Sequence, residues 1–255
     1  MGWPVRAVRD RLLVERRMRS EIIEGCCLTV MRGMDAGSVN SIITDPPYGI
    51  AYKNCWSRKF DVLQGDDVPQ VDWLPEAFRL VVDPGCLLCF CRWDVSAAFE
   101  TAIRAAGFTI RSQIIWDRVK HGLGDLEGAP GPRHDIIWFA VKGNWKLPGK
   151  RPSSVIRAMR DKDADLRHPT QKPVLLMETL VEAYTSPGDL VLDPFAGSGS
   201  TGCACKNLGR EFIGIEIDPQ YVAVARRRIE NSQKEVPLFS FVGAEDSFGE
   251  RGCND

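Results

Sequence analysis

No apolar run in this 255-residue chain approaches the roughly 18 residues a membrane-spanning helix needs, so an integral membrane protein is not expected. The first twenty residues carry six arginines against Asp10 and Glu15, with no apolar segment or small-residue cleavage site, so no secretory signal is expected either. The 23 glycines and 16 prolines show no fixed period, which excludes a collagen-like or low-complexity chain. Charge of one sign is not in excess: 33 Lys and Arg stand against 34 Asp and Glu. The nine cysteines are odd in number and most sit inside apolar runs such as Gly85 to Cys91, so they read as reduced, buried thiols of a cytoplasmic protein. Cys86 and Cys89 have the Cys-x-x-Cys spacing but lack a second ligand pair, and no metal is expected.

What the chain does have is core: 44% of its residues are apolar, enough for one globular domain and against overall disorder. Its charge is also unevenly spread. Residues 1–20 carry a net +4 and residues 142–172 a net +6, leaving −11 for the rest. Taken alone, such runs are solvated faces; beside a nucleic-acid chemistry they become candidate phosphate contacts.

Short β-branched and aromatic runs alternate with helical stretches, the pattern of a sheet with crossover helices. Strands are expected at Ile22–Ile23, Ser41–Ile43, Gly85–Phe90, Ile110–Trp116, His134–Lys142, Asp189–Leu192 and Glu211–Ile217. Helices are expected at Trp73–Val82, Val95–Ala106, Pro173–Tyr184, Ser200–Leu208 and Pro219–Asn231, with an amphipathic stretch at Arg6–Arg19. The runs 110–116 and 134–142 are joined by a glycine- and proline-rich loop without a helix, so they should pair antiparallel. The organisation read from this is a basic extension (1–20), one domain (21–240) with a basic, proline-punctuated insertion (143–167), and a tail (241–255).

The segment Asp193-Pro194-Phe195-Ala196-Gly197-Ser198-Gly199-Ser200-Thr201 follows a strand and opens a helix. Its glycines permit tight curvature and close approach of a ligand to the backbone, but it lacks the Gly-Lys-Ser/Thr ending of a phosphate loop, which disfavours nucleotide triphosphate hydrolysis. Glu216, at the end of the next strand, is placed to accept from ribose hydroxyls, so the ligand should be a nucleoside derivative. Asp193 puts negative charge where a pyrophosphate would sit, favouring a ligand with a cationic amino group there.

Asp45-Pro46-Pro47-Tyr48 ends an earlier strand. Two prolines stiffen it and remove donors, so the Asp45 carboxylate and nearby carbonyls can converge on a planar amine. Tyr48 offers a face on which an unstacked base could rest, a contact worth about 1–3 kcal/mol in single-strand binding.

These residues resemble the amino-group DNA methyltransferases that use S-adenosylmethionine, in the permuted subgroup that places the catalytic motif ahead of the cofactor loop. The resemblance spans about residues 21 to 232 and four ordered motifs: Asp45 to Tyr48, His168 to Pro173, Asp193 to Gly199, and Phe212 to Asp218. It implies a Rossmann-like class I methyltransferase α/β fold: a mostly parallel twisted sheet with one antiparallel strand and helices on both faces. It implies that Asp45 and the Pro46 carbonyl hold the target amine, beside Pro47, while Tyr48 stacks on a flipped-out base. It assigns the cofactor to His168, Thr170, Gln171 and Lys172 at the methionine carboxylate end. Asp193, Phe195, Ala196, Gly197, Ser198, Gly199 and Thr201 are assigned to its methionine and sugar, and Glu216 to its ribose. It makes the insertion the target-recognition segment, with Lys146, Lys150, Arg151, Arg157 and Arg160 as DNA contacts.

The implied activity is site-specific transfer of a methyl group from S-adenosylmethionine to adenine N6 in double-stranded DNA, without a metal or covalent intermediate. It is an activity of restriction-modification type, with the oligomeric state left between monomer and homodimer. An aspartate opening the Pro-Pro-Tyr motif is the usual adenine form in this family, serine the cytosine-N4 form. Cytosine N4 remains the alternative base. Methylation of a protein glutamine and an inactive DNA-binding module are the other readings. One departure from the family pattern stands out: Gly25-Cys26 replaces the usual Gly-Asp at the end of the first strand.

Overall fold

The computed structural model describes residues 19–49, 69–122, 126–159 and 171–232. The Arg6–Arg19 stretch up to residue 18, the tail, His168, Thr170 and Arg160 lie outside the described residues.

Eight strands form one sheet: β1 (Ser20–Glu24), β2 (Val39–Thr44), β3 (Val81–Cys91), β4 (Thr109–Asp117), β5 (His134–Lys142), β6 (Val155–Arg157), β7 (Leu190–Asp193) and β8 (Glu211–Glu216). Their spatial order is β1-β8-β7-β2-β3-β5-β4-β6. β5 runs antiparallel to both β3 and β4, and the other pairs are parallel. This is the mostly parallel sheet with one antiparallel strand expected of a class I methyltransferase fold. The antiparallel strand is the one reached by a loop without a helix.

Period-two alternation divides the core between the two faces. Cys86, Leu88 and Phe90 of β3, with Ile137, Phe139 and Val141 of β5, pack with α4 (Val174–Tyr184), α5 (Ser200–Leu208) and α6 (Pro219–Asn231). Leu87, Cys89 and Cys91, with Ile136, Trp138 and Ala140, pack with α1 (Cys27–Arg32), α2 (Leu74–Leu80) and α3 (Ser96–Ala105). Cys86 and Cys89 therefore point to opposite layers as buried free thiols. No group of three or more His, Cys, Asp or Glu among the described residues could hold a metal ion. Among the described residues, no helix is long and apolar enough to cross a membrane.

Two expectations are corrected, and one helix is added. The helix expected to reach Val82 ends at Leu80, because Val81 already pairs with Val39. The strand then bulges before Cys86 meets Ser41, and a Cβ on Gly85 would lie 2.9 Å from the Asn40 carbonyl, so only glycine lets the ladder resume there. Helix α1 was not expected. The insertion, marked as lying outside the core, contributes β6, a three-residue strand that lengthens the sheet beyond β4 and buries Ile156.

Candidate active site

Every parallel strand ends at the same edge of the sheet. That edge carries Glu24, Thr44, Cys91, Asp117, Arg157, Asp193 and Glu216, the last residues of their strands. Strands β2 and β7 are direct neighbours, so Asp45 and the glycine loop leave the sheet side by side. A crossover topology thus brings together motifs about 150 positions apart in the chain.

Asp45 is half-buried and both of its oxygens are engaged. The Tyr48 hydroxyl donates to one and the Lys172 ammonium to the other. Tyr48 is itself pinned, its ring edge-on to Phe99 with centroids 6.4 Å apart. Burial and the neighbouring Asp45 charge push its phenol pKa well up, so the hydroxyl stays a donor. Of the two prolines, Pro46 is buried, while the Pro47 carbonyl accepts from Gln70 N at 3.1 Å. The resemblance assigns Lys172 to the cofactor; in this structure its side chain lies on Asp45. It also sits over the rings of Phe90, Trp116 and Tyr48, with its nitrogen 5.1, 5.9 and 6.0 Å from their centroids.

Asp193 departs from its expected part. It is 3% exposed, and Thr44 Oγ1, Thr201 Oγ1 and Phe195 N donate to its carboxylate at 2.7, 2.7 and 3.1 Å. Burial raises its pKa to about 6. Instead of presenting charge at the loop mouth, the carboxylate ties β2, the loop and the start of α5 together.

The glycine loop turns on Gly197 (φ 51°) and Gly199 (φ 80°), a left-handed conformation that glycine adopts without strain. A Cβ on Gly199 would also lie 3.0 Å from the Ala225 Cβ, so this glycine serves helix packing as well as curvature. Ala196, Ser198, Gly199 and Thr201 are buried, while Phe195 and Gly197 are partly exposed. Ser198 donates to Gln171 Oε1 at 3.1 Å, and Arg228 reaches the Ser198 carbonyl (2.6 Å) and hydroxyl (2.7 Å) from α6. Arg228 escaped sequence reasoning, since nothing local separates it from its neighbours Arg226 and Arg227.

At the end of β8, the two oxygens of Glu216 accept from Gly197 N at 2.8 Å and Asp218 N at 2.9 Å. Burial raises its pKa, those amides oppose the rise, and each oxygen keeps a lone pair for another donor. Ile217, 52% exposed, offers apolar surface beside it. A fixed carboxylate, an adjacent apolar face and a glycine turn at neighbouring strand ends fit a nucleoside. Cys26, at the N-terminus of α1, is exposed, and the nearby Thr29 amide lowers its pKa without forming a capping hydrogen bond.

The basic residues of the insertion part company. Gly143 follows β5 at the far edge of the sheet, where Lys142 pairs with Gly85. Trp145 stacks on Tyr184 there (centroids 6.1 Å, 16°), which starts Lys146 away from Asp45. The exposed Lys150 and Arg151 lie on the return path, and β6 brings Arg157 to the active edge opposite Asp117, 3.3 Å from its carboxylate. Arg133 doubly hydrogen-bonds the same carboxylate and holds its pKa well below the usual range.

A family model described as DNA methylase matches residues 39–227. The protein YubD of Escherichia coli (strain K12) is 31% identical over 219 residues, covering 84% of this chain and 92% of its own length. The type II methyltransferase M.HpaI of Haemophilus parainfluenzae is 28% identical over 240 residues, with 84% and 75% covered. The crystal structure of the M1.HpyAVI–SAM complex matches with a TM-score of 0.64 at 27% identity, covering 82% of this chain and 98% of that one. The PvuII DNA methyltransferase, described as cytosine-N4-specific, matches with a TM-score of 0.67 at 18% identity over 85% and 89% of the two chains, a likeness of fold alone.

Proposed function

Because this chain belongs to the DNA methylase family whose members modify N6 or N4 amino groups, we propose that it methylates the exocyclic N6 of adenine in double-stranded DNA, using S-adenosylmethionine. The observation that carries the reading is the Asp45 carboxylate at the end of β2, one strand from the glycine loop. Cofactor use is supported by the fit of Glu216, Ile217 and the Gly197 turn to a nucleoside, and by the likeness to a SAM complex at 27% identity.

S-adenosylmethionine, when bound, supplies an electrophilic methyl group on sulfur. Glu216 would hold its ribose hydroxyls, and the turn from Phe195 to Gly199 would shape its sugar and methionine side. The work of the chain's own residues is orientation and electrostatics. Asp45 and the Pro46 carbonyl accept from the two N–H bonds of the target amine, which draws its lone pair out of conjugation and stabilises the positive charge that develops on nitrogen. Rotating the base out of the duplex costs a few kcal/mol, which stacking on Tyr48 offsets. One amine proton is then released, and Asp45 stands within reach to take it toward solvent. Among the described basic residues of the insertion, Arg157 stands at the right edge to neutralise a phosphate near the site.

Adenine is preferred over cytosine because an aspartate, not a serine, opens the motif. The test is mass spectrometry of nucleosides from DNA treated with the purified chain and S-adenosylmethionine. N6-methyladenine is expected; N4-methylcytosine as the sole product would overturn the choice of base.

A further inference from the structure

Both oxygens of Asp45 are taken in the free protein, one by Tyr48 and one by Lys172. Lys172 neutralises the Asp45 charge, so a target amine held there meets a weakened acceptor until that donor leaves. Tyr48 is fixed by Phe99 and by the short chain segment it shares with Asp45, whereas Lys172 arrives from another part of the chain on a flexible stem.

The backbone that carries Lys172, just ahead of α4, is fastened to the glycine loop and the start of α5. Ser200 Oγ donates to the Lys172 carbonyl at 2.8 Å, and Gln171 Oε1 accepts from Ser198. The side chain therefore bridges the two halves of the site. Its ammonium, with the side chain 10% exposed, sits among the rings of Phe90, Trp116 and Tyr48, where a cation with so little access to water needs an anionic partner. Of the other carboxylates of the site, Asp193 is buried and already accepts from two hydroxyls and an amide, Asp135 faces Arg118 at 3.7 Å, and Glu216 stands at the end of β8, two strands from β2. When Asp45 turns to the amine, Lys172 requires a carboxylate from outside the protein.

We propose that Lys172 is a positioning residue that passes between two carboxylates: it holds Asp45 in the free protein, and the amino-acid carboxylate of the bound cofactor draws it away. Asp45 then becomes available to the target amine once cofactor is in place, so cofactor binding precedes capture of the base. This inference rests on the proposed use of S-adenosylmethionine. It predicts that Asp45 and the cofactor compete for one ammonium, a competition measurable without DNA and without turnover.

The experiment is calorimetric titration of S-adenosylhomocysteine, which keeps the amino-acid carboxylate, into wild type, Asp45→Asn, Lys172→Met and the double variant, with circular dichroism to confirm folding. Asp45→Asn should bind at least about fivefold tighter than wild type, since Lys172 no longer has to be withdrawn from a charged partner. Lys172→Met should bind more weakly than wild type, and Asp45→Asn should add no affinity in its background. If Lys172→Met does not fold, Lys172→Arg replaces it. Arginine's forked hold on Asp45 should weaken binding, and Asp45→Asn should restore it. Equal or weaker binding by Asp45→Asn, or a gain that persists without Lys172, overturns the inference while leaving the cofactor assignment standing. Absence of binding by wild type overturns the cofactor assignment and the inference together.

Discussion

Thr44 and Asp193, 149 positions apart, are joined by a buried 2.7 Å hydrogen bond from the threonine hydroxyl to the carboxylate. It fastens the end of the strand that leads to Asp45 to the end of the strand that opens the glycine loop. Thr44→Val keeps the shape and removes the donor. The variant should lose about 1–3 kcal/mol of stability, the usual cost of a buried acceptor left short of a partner. Urea denaturation measures the loss, and an unchanged midpoint would show that the bond carries no weight.

The same carboxylate sets a pH dependence. Its folded pKa of about 6 lies above the unfolded value near 3.8, so between these values the folded state retains a proton that the unfolded state has released. Its contribution to stability is therefore greatest at low pH and is lost as pH rises through about 6. Asp193→Asn is neutral throughout. Relative to wild type it should gain on the order of 2–3 kcal/mol between pH 4 and pH 7.5 and then level off. Denaturation of both proteins across that range checks this; parallel curves would contradict it.

What could be read ahead of the structure was what short-range chemistry dictates. Helices α5 and α6 were placed by their ends. Gly199 and Gly209 take left-handed conformations around the first, while the Asp218 side chain accepts from Gln220 N before Pro219 opens the second. Helix α1 has six residues and no side-chain cap, and β6 has three residues in a polar stretch, so neither leaves a periodic signal. Motif order brought Asp45 and the glycine loop together correctly. The partner of Lys172 could not be read, because its pairing with Asp45 depends on a side chain crossing between loops 127 positions apart.

Asp45→Asn preserves volume but replaces a carboxylate by an amide, weakening the acceptor just as charge develops on the amine. Methyl transfer should fall by at least about 100-fold, comparable to removing one preorganised electrostatic group. Tritium incorporation into DNA measures it. A variant that retained more than a tenth of wild-type turnover would remove Asp45 from the catalytic role.

The path of the insertion distinguishes its basic residues. Arg157 stands at the active edge and Lys146 begins at the opposite one. Arg157→Ala should lower the slope of log affinity against log salt by about 0.9, one phosphate contact, while Lys146→Ala should leave it unchanged. Fluorescence anisotropy with a labelled duplex at several salt concentrations separates the two, and equal slopes for both variants would contradict the assignment.

Arg228 holds the glycine loop from behind. One of its nitrogens donates to the Ser198 carbonyl at 2.6 Å and hydroxyl at 2.7 Å, with Ser200 Oγ at 3.4 Å. Ser198 in turn holds Gln171, so the guanidinium fixes the loop and the segment facing it at once. Arg228→Met keeps much of the apolar stem and removes the charged donors. Because such bonds are worth about 1.5–3 kcal/mol each, loosening them should raise the KM for S-adenosylmethionine roughly tenfold or more. The KM for DNA should stay within about twofold, since the change lies behind the loop and away from Asp45 and Arg157. Steady-state kinetics with each substrate varied in turn supplies both values. A rise confined to the DNA term would place Arg228 in DNA recognition instead of loop support.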